Sequence, residues 1–189
     1  AIASSSGVAV AGTFSISGTT SGASIVSLSG AGTVTLGSRT LTISNANAAD
    51  TFSGDINGTG GLTLTTGTLT LSGANSSYTG ITTINGGTLI VSTLANGGSN
   101  SSIGASTNIA TNLVIGNATL KYTGSTVSTD RAFTISAGTT ATIEVGSGTT
   151  LTISGSIANT TGALTKTGAG TLALSSASSY SGATTISAG

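Results

Sequence analysis

Eight charged side chains are the first candidates for chemistry in this chain of 189 residues. Four are acidic and four are basic, and the chain contains no histidine or cysteine. It therefore lacks the usual nucleophile and base pairs, thiol chemistry and the ligands of most transition-metal sites. We predict no metal and no cofactor. The eight are Arg39, Asp50, Asp55, Lys121, Asp130, Arg131, Glu144 and Lys166.

Asp50 and Asp55 are the closest pair of carboxylates, in the segment NANAADTFSGD. Glycoside hydrolysis needs two carboxyl groups at a set separation, so an enzyme that acts on polysaccharide is one hypothesis. The alternative is a pair of solvated turn residues, and we favour it, which predicts a non-enzyme. For Asp130 and Arg131 we predict a turn in which the aspartate caps local amides.

Ligand-binding motifs are equally sparse. The run from Asp55 to Gly58 lacks the further acidic residues of a calcium loop, and no helix follows the glycine-rich segments that resemble phosphate loops. No basic patch is present for nucleic acid. Tyr78 and Tyr180 occupy equivalent positions and are candidate contacts for a glycan, with packing at a corner of the fold as the alternative.

The composition limits the class of protein. Charged residues make up 4% of the chain, whereas an ordinary soluble domain has about 25%. The apolar runs are far shorter than the roughly 20 residues that span a bilayer as a helix, so we predict no transmembrane helix. Apolar residues nevertheless make up 37% of the chain, which argues against disorder.

Apolar and polar residues alternate with period two in many short runs, for example Thr68-Leu69-Thr70-Leu71. This is the pattern of β-strands, and glycine, serine and asparagine separate the runs. No run shows helical spacing. We predict an all-β fold.

A long internal repeat selects among all-β folds. Tyr78, Gly80 and Ile84 recur 102 residues later as Tyr180, Gly182 and Ile186, and the two copies cover residues 54–91 and 155–189. Such self-similarity is typical of solenoids. We predict one elongated β-solenoid over residues 1–189, with about 20 residues per coil and inward columns of aliphatic side chains. A rival hypothesis is a pilin-like β-sandwich that donates its first strand to a neighbour, but it leaves the repeat unexplained.

Residues 51–91 and 163–189 resemble the autotransporter-associated β-strand repeat of type V secreted bacterial surface proteins, and residues 112–138 are similar to a spacer common in the passengers of those proteins. The resemblance implies a right-handed parallel β-helix that is exported to the cell surface or secreted. Whether the chain is mature or a fragment of a longer passenger stays open. The segments are TFSGDINGTGGLTLTTGTLTLSGANSSYTGITTINGGTLIV (residues 51–91), NLVIGNATLKYTGSTVSTDRAFTISAG (residues 112–138) and ALTKTGAGTLALSSASSYSGATTISAG (residues 163–189).

The ends of the chain suggest self-association. Neither end carries an obvious cap, and uncovered strand edges recruit other chains. We therefore expect a head-to-tail homopolymer in which the end of one subunit meets residues 1–11 of the next. The predicted interface residues are Ala1, Ile2, Ala3, Val8, Val10, Ile186, Ser187, Ala188 and Gly189.

The sequence thus predicts an extracellular structural protein, a β-solenoid subunit of a bacterial filament or matrix. The first alternative is an adhesin stalk or passenger fragment that binds a host receptor or a glycan. The second is the polysaccharide-acting enzyme.

Overall fold

A computed structural model describes residues 7–189, and all strand pairs in it are parallel. No α-helix occurs in this part of the chain, which confirms the all-β prediction. A 3₁₀ turn spans Ala110–Asn112. The strands are β1 (Val8–Val10), β2 (Thr13–Ser15), β3 (Ala23–Ile25), β4 (Leu28–Gly30), β5 (Thr33–Gly37), β6 (Leu41–Ile43), β7 (Thr51–Phe52), β8 (Asp55–Gly58), β9 (Leu62–Leu64), β10 (Thr68–Leu71), β11 (Thr82–Val91), β12 (Leu113–Tyr122), β13 (Val127–Thr129), β14 (Thr134–Ile135), β15 (Thr140–Val145), β16 (Thr150–Ile153), β17 (Ala163–Thr167), β18 (Thr171–Leu174) and β19 (Thr184–Ile186).

The strands form a three-sided β-solenoid, as predicted. The first face runs β1-β4-β7-β10-β11-β12-β15-β17-β19, nine strands for nine coils. The second face carries β2-β5-β8 and then β13-β16-β18, and the third carries β3-β6-β9 followed by the first halves of β11 and β12 and then β14. The chain visits the three faces in turn. Parallel crossovers wind to the right in nearly all proteins, the sense that the family resemblance implies.

Aliphatic columns fill the interior. On the first face Leu69, Leu89, Leu120 and Ile143 stand in register one above another, each at most 2% exposed. Because β-strand side chains alternate, threonine and serine occupy the intervening outward positions. At the corners between strands, serine and threonine hydroxyl groups donate to carbonyl oxygens of the neighbouring coil, for example from Thr160 Oγ1 to Ile135 O at 2.7 Å. Neutral side chains thereby add hydrogen bonds between coils.

Glycine lets two coils approach at one corner. Gly67 and Gly87 have φ angles of +84° and +73°, in the region that side chains rarely adopt. A Cβ atom on Gly87 would lie 2.0 Å from the carbonyl oxygen of Gly67 in the coil below. A larger residue at either position would force the stacked coils apart.

The two copies of the internal repeat lie on adjacent faces. In the first copy, β9 belongs to the third face and β10 to the first. Their counterparts in the second copy, β17 and β18, belong to the first and second faces. The displacement of 102 residues therefore corresponds to whole coils plus one face, so corresponding residues of the copies do not stack in one column.

One coil is much longer than the rest. Partners on neighbouring coils are 20 residues apart between Val8 and Leu28 and between Leu69 and Leu89, close to the prediction. On its other side Leu89 pairs with Leu120, which lies 31 residues further along the chain. The additional residues leave the regular coil between β11 and β12.

The interior column generates a prediction for stability. Leu120→Ala removes a side chain that is 2% exposed from the middle of the column and leaves a cavity. We expect the free energy of unfolding in urea to fall by about 2–5 kcal/mol. Thr119→Ala, on the outward side of the same strand, is the control and should cost about 1 kcal/mol or less. Equal losses in the two variants would contradict the packing described here.

Candidate functional site: a strap over a tyrosine corner

Residues 93–109, here called the strap, fold back over the side of the solenoid. They cover residues 76–82, here called the first tyrosine corner, where the chain passes from the second face to the third. The backbone N–H of Ala105 donates to Tyr78 O at 2.8 Å, and that of Ser101 donates to Ser76 O at 3.3 Å. The strap therefore continues the stacking of coils at this corner without forming a regular strand.

Tyr78 lies at the centre of the corner. Its ring is fully buried, and its hydroxyl is 2.7 Å from Thr82 Oγ1, which in turn donates to Ile103 O in the strap at 3.4 Å. Burial raises the pKa of the Tyr78 hydroxyl, and the hydrogen bond to Thr82 and the charge of Arg131 oppose the rise. While the strap is in place, the ring has no free face for a glycan.

Gly104 makes the close approach of the strap possible. Its φ angle is +75°, and a Cβ atom there would lie 2.3 Å from Tyr78 O and 2.9 Å from the ring atom Cδ1. Any side chain would therefore be strained and would clash with the corner. The strap can seat only with glycine at this position.

Arg131 holds the strap from the following coil. Its side chain is buried, and its nitrogens donate to backbone carbonyl oxygens of the strap instead of to a carboxylate. Burial lowers the pKa of Arg131, against the effects of Tyr78 and Asp130, but a guanidinium stays protonated in proteins. The acceptors are Ala95 O (2.8 Å from Nε), Ser106 O and Oγ (3.2 and 3.1 Å from Nη1), and Gly104 O, Ser99 O and Asn96 O (2.8, 3.1 and 3.5 Å from Nη2).

Asp130 fixes the base of the strap. Its Oδ1 accepts from the backbone N–H of Gly97 at 2.7 Å, and its Oδ2 accepts from Asn108 Nδ2 at 3.1 Å. These amides lie 33 and 22 residues away in the sequence, so the predicted cap on local amides is wrong. The adjacent aspartate and arginine hold one loop from two sides.

The second copy of the repeat contains the same corner in an open form, over residues 178–184, here called the second tyrosine corner. Tyr180 Oη is 2.6 Å from Thr184 Oγ1, matching Tyr78 and Thr82. Tyr180 is only partly buried and Thr184 is exposed. No segment of residues 7–189 covers this corner as the strap covers the first. The glycan contact predicted for Tyr180 stays a prediction.

Lys166 is a buried charge that sequence reasoning did not distinguish from the other seven. It stands in the first-face column between Ile143 and Ile186 and is 6% exposed. Its ammonium group donates to the carbonyl oxygens of Thr167 (2.6 Å), Gly168 (2.9 Å) and Ala188 (3.1 Å). Burial lowers the pKa of Lys166, and Glu144 opposes the shift. The lysine thus ties the last two coils together.

The remaining charged residues do not form a site. Asp50 precedes β7 on the first face, whereas Asp55 begins β8 on the second. Lys121 and Glu144 form a surface ion pair at 2.7 Å. Within residues 7–189, no group of three or more histidine, cysteine, aspartate or glutamate side chains is placed to hold a metal ion.

Those predicted interface residues that the structure describes lie at the two edges of one face. Val8 and Val10 belong to β1, and Ile186, which is 72% exposed, belongs to β19 at the opposite edge. Residues 187–189 are exposed beyond it. Ala1, Ile2 and Ala3 lie outside the described residues. The arrangement leaves head-to-tail pairing a prediction.

Comparison with known proteins identifies the repeat. The family of passenger-associated-transport-repeats matches the chain twice, at residues 66–91 and 164–189. Over 164 residues, or 86% of this chain, the sequence is 56% identical to the adhesin BmaC autotransporter of Brucella suis biovar 1 (strain 1330). The chain spans 5% of the length of that protein.

No solved structure matches the chain. In residues 7–189 no helix has the length and the apolar character needed to cross a bilayer.

The arginine contacts predict how the strap can be released. Arg131→Met removes the buried guanidinium and its hydrogen bonds to five carbonyl oxygens of the strap, so we expect a loss of about 3 kcal/mol in the free energy of unfolding. Limited proteolysis should then cut the strap near its exposed residues 98–100. Arg131→Lys should restore only part of the loss, because an ammonium cannot reproduce the fork of donors. Arg39→Met is the control: Arg39 is half-buried, its Nε has no hydrogen-bond partner, and the change should cost about 1 kcal/mol or less. Equal effects of the two methionine substitutions would contradict the role of Arg131.

Burial of Tyr78 predicts a loss of stability at alkaline pH. Above a pH of about 10 the unfolded chain releases the phenolic proton, whereas the folded chain, with its raised pKa, retains it. Each such tyrosine then lowers the free energy of unfolding by about 1.4 kcal/mol per pH unit. Tyr78→Phe should reduce the slope between pH 10 and 11 by about this amount in urea titrations. An unchanged slope would contradict the burial of the hydroxyl.

Proposed function

The chain belongs to the autotransporter passenger repeat family, and from that premise we propose that it is a stalk segment of a bacterial surface adhesin. In this role the segment carries contact sites elsewhere on the passenger away from the cell and does no chemistry of its own. The observation that supports the proposal most is the uninterrupted first face, in which nine parallel strands continue one ladder from β1 to β19. A continuous ladder of this kind extends the segment along one axis, as a stalk requires.

The surface suits a stalk exposed to a variable environment. Four acidic and four basic residues give the chain a net charge of zero. Interactions between coils are made by aliphatic columns and by hydrogen bonds from threonine and serine, neither of which depends on salt as exposed ion pairs do. The shape of the segment should therefore change little with ionic strength.

The relative strengthens the proposed location and role. The name of that protein describes an autotransporter adhesin, and 86% of the present chain is similar to it. We infer an exported passenger at the cell surface or released from it. We also infer that the segment is not an enzyme, since Asp50 and Asp55 lie on different faces of the coil.

Self-assembly into a filament or matrix is the second candidate function. The observation that favours it is the position of β1 and β19 at opposite edges of the same ladder, with Ile186 72% exposed. Stacking β1 of one copy on β19 of another would continue the first face between molecules. Nine coils at the usual spacing between strands would give a filament repeat of roughly 45 Å.

A distance measurement and a binding measurement test the stalk proposal together. Dyes on the pair Gly18→Cys and Thr185→Cys, both outward positions, report a separation of roughly 40 Å along the axis. We expect it to stay constant within a few ångströms from about 10 mM to 1 M salt, over which the Debye length falls from about 30 Å to 3 Å. We also expect no saturable binding of the segment to glycans or host matrix proteins.

Other outcomes assign the alternatives. A separation that varies with salt would contradict a stiff neutral spacer. Saturable glycan binding that Tyr180→Ala abolishes and Tyr180→Phe preserves would assign a contact role to the second tyrosine corner. Filaments with a repeat near 45 Å in negative-stain images, lost in Ile186→Lys, would favour self-assembly over the stalk.

A further inference from the structure

We propose that the second tyrosine corner (residues 178–184) is a docking surface for a second strap of the same design as residues 93–109, carried by a further passenger repeat. The occupant is a glycine-containing backbone segment like residues 101–105 of the strap, not a glycan or an ion. This inference concerns how the solenoid is assembled and is independent of the stalk role proposed above.

The first tyrosine corner provides the template, because it is the same surface with its strap in place. There the strap supplies two backbone N–H donors, from Ala105 to Tyr78 O and from Ser101 to Ser76 O. It also supplies Ile103 O as the acceptor of the Thr82 hydroxyl. A corner of this type therefore presents two acceptors and one donor to whatever covers it.

The second corner reproduces that surface group by group. Ser178 Oγ accepts from Ile157 N at 3.0 Å, just as Ser76 Oγ accepts from Ile56 N at 3.0 Å. The hydrogen bond between Tyr180 and Thr184 repeats that between Tyr78 and Thr82. Internal contacts that set the shape of the corner are thus already formed without a strap.

At the second tyrosine corner, the groups that would form hydrogen bonds with a strap have no covering segment to bond with in the described part of the chain. Among residues 7–189, no backbone N–H outside the strand ladders donates to the carbonyl oxygens of Ser178 or Tyr180. Ser76 and Thr82 are 2% and 1% exposed beneath the strap, whereas Ser178 is half-buried and Thr184 is exposed. The difference between the corners is the covering segment and not their own geometry.

The chemistry of the occupant follows from the steric limit at Gly104. The strap residue over the tyrosine must be glycine, since a Cβ atom at Gly104 would lie 2.3 Å from Tyr78 O. The segment also needs no charged side chain over the corner, since residues 178–184 contain none to pair with it. A sequence of the Ser101-Ser102-Ile103-Gly104-Ala105 type meets both requirements.

Because the two repeat copies differ by one face, the second strap would lie on a different face of the solenoid from the first. The first corner stacks on β8 of the second face, through Ser77 N and Ile56 O. The second corner stacks through Ser179 N on Ile157, which bridges to Phe133 beside β14 of the third face. The second strap would therefore cover the third face, whereas residues 93–109 cover the second.

The test extends the full chain after Gly189 with its own residues 88–145. With a repeat displacement of 102 residues, the position that follows Gly189 corresponds to Thr88, so the extension begins there. The added segment includes a second copy of the strap and of Arg131. Nitration by tetranitromethane, followed residue by residue by mass spectrometry, reports the accessibility of Tyr180, with buried Tyr78 as the internal reference. We expect nitration of Tyr180 to slow at least about tenfold in the extended chain, because a covered ring reacts only through local opening.

The control carries Gly104→Val in the added segment alone, leaving the resident strap unchanged. The added backbone can then continue the coil, but its strap cannot seat, so Tyr180 should react as fast as in the chain without the extension. Equal protection by both extensions would overturn the proposal, because coil stacking alone would explain it. Unchanged reactivity in the intact extension, or an added segment that stays protease-sensitive, would overturn it as well, since a docking surface must order its strap.

Discussion

Stacking of each coil on the one below, in register and at a spacing of about 4.8 Å, is the constraint on which the rest of this structure depends. Within the ladders, a strand side chain meets the side chain at the same position in the adjacent coil, so a favourable pair is repeated along a column and so is an unfavourable one. Leucine, isoleucine and valine satisfy the constraint inside, and threonine and serine satisfy it outside. Like charges would repel in such a column, which accounts for a chain with 4% charged residues.

The two buried cations show how the fold admits charge without a buried carboxylate. The guanidinium of Arg131 reaches the strap and the ammonium of Lys166 reaches the glycine turn after β17, and both donate to backbone carbonyl oxygens there. Their charges are distributed over several dipoles, so no opposite charge has to be buried beside them. Each cation supplies hydrogen-bond donors to carbonyl oxygens in an irregular part of the coil stack.

The sequence was sufficient for what depends on local alternation and was insufficient for what depends on distant partners. Runs such as Thr68-Leu69-Thr70-Leu71 contain the strand period in themselves, so the all-β solenoid and its coil length were predictable. The strap was not, because its serine and glycine residues look like any turn and its anchor, Arg131, acts from 25 to 36 residues away. The repeat displacement was visible in the sequence, but the face on which each copy lies depends on the length of every coil between them.

The second copy of the repeat is rotated by one face about the axis of the solenoid relative to the first copy. If successive repeats keep the same offset, a third copy would occupy the remaining side and a fourth would return to the azimuth of the first. Lateral protrusions such as the strap would then spiral around the shaft. Every side of the shaft would then present an equivalent protrusion within a few nanometres along its length, so the outline of the shaft would not depend on its rotation about the axis.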